Sequence, residues 1–110
     1  MYAIVVDKYN REVQRINFPT KEWLIESLEQ FDCQIFFRKS TTGQFRSLFC
    51  TRNLKKIPRR FKQKYAELIE NPHGYANIVP VWDIDSRDWK SFYFESVIKI
   101  TVNIGDTNGK

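Results

Sequence analysis

The chain has 110 residues, is 42% hydrophobic and 15% aromatic, and carries a formal net charge of +5. That is the length of one domain with enough apolar mass for a core. Four Gly and four Pro exclude collagen-like and low-complexity chains, and two cysteines, Cys33 and Cys50, exclude a disulfide framework, a CxxC motif and a cysteine zinc set. With no signal-peptide pattern and no apolar run of spanning length, a soluble protein of the cytoplasm is expected, and both thiols are read as reduced core residues.

Residues 2–6 are β-rich, residues 7–11 read as a turn, and Val13, Ile16 and Phe18 are the apolar positions of a second arm, so an N-terminal hairpin is expected over 2–18. Pro19 and Thr20 open a helix, with Thr20 as its cap and Glu22 near the positive end of its dipole. Leu24, Leu28 and Phe31 fall at i, i+4 and i+7, which makes one face of that helix apolar. Residues 33–38 and 44–51 read as strands joined by a loop in which Gly43 can take a positive φ. Pro58 suits the first turn of a second helix, whose inward stripe would be Phe61, Tyr65, Leu68 and Ile69 and whose stop is Asn71-Pro72-His73-Gly74. A last hairpin is expected from residues 78–85, a turn at 86–88 and a second arm running from Trp89 to Ile100. Residues 103–110 form a polar tail. The order ββ-α-ββ-α-ββ predicts one α+β domain over residues 1–110, with two helices and a curved antiparallel sheet or small barrel.

The stretch from about Trp23 to Thr101 resembles small phage and bacterial proteins described as WYL-like, with an SH3- or Sm-like β-barrel. The pieces are Gln34-Ile35-Phe36-Phe37-Arg38-Lys39 after a short helix, Leu48-Phe49-Cys50-Thr51-Arg52, and Val81-Trp82-Asp83-Ile84-Asp85 continuing as Trp89-Lys90-Ser91-Phe92 and Glu95-Ser96-Val97-Ile98. The resemblance implies a barrel over residues 23–101 with a helical insert at 58–71, a phage or mobile-element source, and copies that associate edge to edge. The hairpin at 2–18 lies outside it as an extension. The resemblance supplies no agreed activity.

No catalytic constellation stands out. His73 is the single histidine and sits in a turn motif, Asp83, Asp85 and Asp88 surround a turn, and Gly43 and Gly74 are isolated, so neither a triad, a metal cluster nor a phosphate loop is built. A non-enzymatic protein without cofactor or metal is expected. The charge distribution is the functional signal. Residues 52–64 hold Arg52, Lys55, Lys56, Arg59, Arg60, Lys62 and Lys64 with no acid, while the other 97 positions net −2. The whole basic excess therefore lies in one segment, and a localised cation patch calls for an anionic partner. Those seven residues, with Arg87, Trp89 and Lys90 at the last turn, are the candidates for binding nucleic acid, RNA before DNA, in the manner of a small phage-type accessory protein. The alternative is a protein-interaction module or inhibitor that docks the same patch on an acidic surface of a host enzyme or defence factor. No membrane contact is expected.

Overall fold

The computed structural model describes residues 1–63 and 77–105. Seven strands occupy Tyr2–Val6 (β1), Glu12–Asn17 (β2), Asp32–Arg38 (β3), Phe45–Thr51 (β4), Ile78–Asp83 (β5), Asp88–Tyr93 (β6) and Val97–Asn103 (β7). One α-helix, Lys21–Gln30 (α1), and three 3₁₀ turns, at Leu54–Lys56, Arg59–Phe61 and Phe94–Ser96, complete the described elements.

Local chemistry accounts for most of these bounds. The Thr20 hydroxyl accepts the Trp23 N–H at 3.0 Å and caps α1. Leu24 and Leu28 bury the inner stripe of the helix. Phe31 takes extended backbone (φ −132°) while its N–H still donates to the Ser27 carbonyl at 2.8 Å, so the helix hands over directly to β3. In the β1–β2 turn, the Asp7 carboxylate accepts the backbone N–H groups of Tyr9 and Arg11 and the Arg11 Nε–H.

The sheet order is β2-β1-β7-β3-β4-β5-β6. β1 and β7 run parallel, with Ala3 opposite Ile100 and Val5 opposite Val102; the other pairings are antiparallel. This corrects the expected architecture in three respects. The sheet is mixed rather than antiparallel throughout. It is not closed into an SH3- or Sm-like barrel, because β2 and β6 remain its two edges, and closure requires edge strands to pair. The expected second helix does not start at Pro58: Arg59–Phe61 form a 3₁₀ turn, helical backbone is reached at Lys62 and Gln63, and the rest of the expected span, with Lys64, Tyr65 and His73, lies outside the described residues, so α1 is the one complete helix among the described residues.

The second arm of the last hairpin also divides. β6 ends at Tyr93, a 3₁₀ turn follows at Phe94–Ser96, and the Ser96 hydroxyl donates to the Tyr93 carbonyl at 2.7 Å. The chain thereby leaves its partner β5 and enters the sheet again as β7, between β1 and β3. A continuous β6–β7 strand could not serve both neighbourhoods.

β4 meets β5 at only two paired positions, Cys50 with Asp83 and Thr51 with Trp82. The β5–β6 hairpin then turns back over the core face of β3 and β4, so that Phe92 stacks on Phe37 with ring centroids 5.7 Å apart. Leu24, Leu28, Cys33, Ile35, Cys50, Val79, Val81, Ile100 and Val102 form the main core between helix, sheet and hairpin. A smaller cluster on the other side of the β5–β6 hairpin joins Ile57 and Trp82 to Phe61, Ile84 and Trp89.

Cys33 and Cys50 face each other across β3 and β4 as free, buried thiols. Burial pushes both well above the ordinary value of 9.0, because a thiolate there would lose its hydration. Above that ordinary value the unfolded chain releases both protons while the folded chain keeps them. Stability is therefore expected to be retained below about pH 9 and lost as pH rises beyond it, by about 1.4 kcal/mol per pH unit for each thiol. Denaturant unfolding at successive alkaline pH values measures this, and replacing both cysteines by alanine should remove that component of the slope.

Candidate nucleic-acid interface

The basic segment leaves the sheet after β4 and is pinned at both ends. The Thr51 hydroxyl donates to the Leu28 carbonyl at 3.1 Å and accepts the Asn53 N–H at 3.0 Å. The Asn53 side chain in turn accepts the Lys55 N–H at 3.0 Å, capping the first 3₁₀ turn. Ile57 is buried against Trp82, and Phe61 packs on Trp82 at 5.0 Å between ring centroids. Ile57, which follows the first 3₁₀ turn, and Phe61, which ends the second, thus fasten the segment, while Lys55, Lys56, Arg59 and Arg60 stay exposed.

The ten sequence candidates do not share one environment. Arg52 is 6% exposed, and its backbone N–H is engaged by the Leu28 carbonyl at 2.7 Å. A buried guanidinium is not available to phosphate, so Arg52 leaves the exposed set. Lys56 donates to the Asp32 carboxylate at 2.7 Å, which offsets its charge. Lys55, Arg59 and Arg60 are exposed and Lys62 is half-buried; the Arg60 guanidinium lies 4.8 Å from the centre of the Phe61 ring. Lys64 lies outside the described residues.

The turn between β5 and β6 brings Arg87 to this segment. The Asp83 carboxylate, 7% exposed, accepts the N–H groups of Asp85 and Ser86 at 3.0 and 3.2 Å, and the Arg87 N–H closes on the Asp83 carbonyl at 2.9 Å. Asp83 is therefore a buried organiser of the turn, while Asp85 and Asp88 are exposed. Arg87 takes a φ of +55° and lines, with Lys56, Pro58 and Trp82, a hollow of about 210 Å³.

Trp89 and Lys90 are separated by strand alternation. Trp89 turns to the smaller core: its indole N–H donates to the Phe61 carbonyl at 3.1 Å, and its ring meets Trp82 edge-on at 5.7 Å. It tethers the basic segment and is itself half-buried. Trp89→Phe removes that donor and trims the indole to a phenyl, so stability is expected to fall by at least about 1 kcal/mol. Hydrogen exchange should show faster opening of residues 59–63 than of α1; equal protection of the segment would rule out the tether.

Lys90 lies on the other face with Phe92 and reaches a different hollow, where it meets Arg38, Lys39 and Arg46 from the β3–β4 hairpin. Those three arginine and lysine positions escaped the reading of charge runs, since they are divided between two strands; their one local signal is that cations flank both sides of the hairpin loop. Among the described residues no cluster of His, Cys, Asp and Glu could hold a metal ion, and no helix is long and apolar enough to cross a membrane. Comparison of the chain with family models, curated proteins and solved structures found no match.

Proposed function

We propose that this is a small, non-enzymatic phage-type accessory protein that binds nucleic acid, RNA in preference to DNA, in the cytoplasm of a host cell. The observation that supports this reading is the run of cations Lys55, Arg59 and Arg60, all exposed, and half-buried Lys62, with Arg87 brought from the β5–β6 turn to the hollow that Lys56 and Pro58 of the same segment line. Lys55, Arg59 and Arg60 sit on two short turns next to the anchoring side chains of Ile57 and Phe61, so they are held at the surface without a long ordering cost. Such cations neutralise phosphates and release counterions, which favours polyanions over small anions. Phosphate contacts carry no base information, so binding through this surface is broad in sequence. The test is a salt titration of binding to short RNA and DNA, with Arg59→Glu/Arg60→Glu as the altered protein. Absence of binding to either at about 50 mM salt would overturn the reading.

A protein partner is the second reading, in which the basic segment meets an acidic surface. A contact area of another kind is offered by the N-terminal hairpin, where Tyr9, Val13 and Phe18 are exposed by 66%, 54% and 82% beside the edge strand β2. Exposed apolar side chains next to an unpaired strand edge are suited to a protein partner. Recovery of a host protein on the wild type but not on a Phe18→Ser variant, together with no nucleic acid, would select it.

A further inference from the structure

Away from the basic segment, the end of β6 folds over the start of β4 and leaves a cleft of about 430 Å³. That lies within the range of small-molecule sites, about 300–1,000 Å³. Four cations line it, Arg38, Lys39, Arg46 and Lys90, and no carboxylate residue does. Glu95 lines the neighbouring hollow, which Arg38 and Lys39 also line. Hydroxyls of Ser40, Thr41, Ser47 and Ser91 are interspersed with the cations.

The arginines are oriented by neutral acceptors. Arg38 Nε donates to the Gly43 carbonyl at 3.2 Å, and Arg46 donates to the Gln44 side-chain carbonyl at 3.3 Å. Gly43 makes the first of these contacts with a φ of +72°, which L residues rarely adopt. Among the described residues, no carboxylate pairs with Arg38, Lys39, Arg46 or Lys90 within ion-pair distance. The guanidiniums are thus positioned without being neutralised, as an anion site requires. Tyr93, 44% exposed, and the stacked pair Phe37 and Phe92 also line the cleft. A flat aromatic beside a cluster of cations and hydroxyls matches a base joined to a phosphate.

We infer that this inter-hairpin cleft binds a nucleoside phosphate, either free or as one unit of a single strand, with Arg38, Lys39, Arg46 and Lys90 on the phosphate and Tyr93 under the base. The site is separate from the basic segment and stands whether or not that segment binds nucleic acid.

The experiment is an amide NMR titration of the full chain with AMP, with a short oligo(A) strand, and with inorganic phosphate. Shifts confined to residues 38–41, 46–48 and 90–93 on adding AMP, reduced at least about tenfold in affinity by Arg46→Glu/Lys90→Glu and unchanged by Arg59→Glu/Arg60→Glu, are expected if the free nucleotide is the ligand. The same pattern with oligo(A) but not AMP assigns the site to a single strand. Tyr93→Ala should weaken the nucleotide or strand and leave inorganic phosphate unaffected. Arg46→Gln/Lys90→Gln provides the charge-removal arm should the reversed variant fail to fold. No shifts in the cleft with AMP or oligo(A), or shifts that survive loss of both charges, would overturn the inference.

Discussion

Binding of short duplex nucleic acid to the wild-type protein is expected to weaken about 150- to 500-fold between about 50 and 200 mM salt. Four or five side chains of the set Lys55, Arg59, Arg60, Lys62 and Arg87 can meet phosphates, since Arg52 is buried and Lys56 is held by Asp32. Each phosphate neutralised on duplex contributes about −0.9 to the slope of log K against log salt, which gives a slope of about −3.6 to −4.5, and a shallower one on single strands. Arg59→Glu/Arg60→Glu should reduce the magnitude of that slope by about 2 and weaken binding alike on all sequences. Both residues are exposed, so the melting temperature should barely move. A variant that binds as well as the wild type would place the activity on another surface, with the inter-hairpin cleft the first to examine by its own substitutions.

Trp82→Ala is expected to destabilise the protein by about 3–5 kcal/mol, the usual cost of truncating a buried large aromatic. Trp82 is 3% exposed, touches Phe61 and Trp89 ring to ring, and closes the smaller core over Ile57. It also pairs with Thr51 at one of the two positions that join β4 to β5. Equilibrium denaturation measures the loss. Because Ile57 and Phe61 hold the two cation-bearing turns against this ring, the variant should bind nucleic acid more weakly under conditions where it is still folded. A stability loss below about 1 kcal/mol would show that the cluster contributes little and that the basic segment is held by other contacts.

The contrast between these variants separates two uses of one segment. Ile57 and Phe61 face inward and fix its path, whereas Arg59 and Arg60 face outward. Substitution of the first kind alters stability and binding together, and of the second kind binding alone. Trp89, proposed from sequence as a surface for bases, belongs with the first kind because its indole N–H is used by Phe61.

The sequence by itself determined the local elements. β-branched and aromatic runs specify strands at 2–6, 33–38 and 44–51, and Thr20 and the Leu24–Leu28 spacing specify α1, close to the observed Tyr2–Val6, Asp32–Arg38, Phe45–Thr51 and Lys21–Gln30. The concentration of positive charge at residues 52–64 is equally plain in the chain. These properties depend on neighbours within a few residues. Only the tertiary structure decided the rest. β7 enters between β1 and β3, and pairs with β1 in parallel, because the break at Phe94–Ser96 frees it from β5, and strand order is set by long-range pairing that local propensity does not encode. Burial removed Arg52 from the surface, the carboxylate of Asp32 took up Lys56, and the fold-back of β6 over β4 gathered Arg38, Lys39, Arg46 and Lys90 around one cleft. Each outcome depends on residues distant in sequence meeting in space, so charge spacing along the chain could not reveal it.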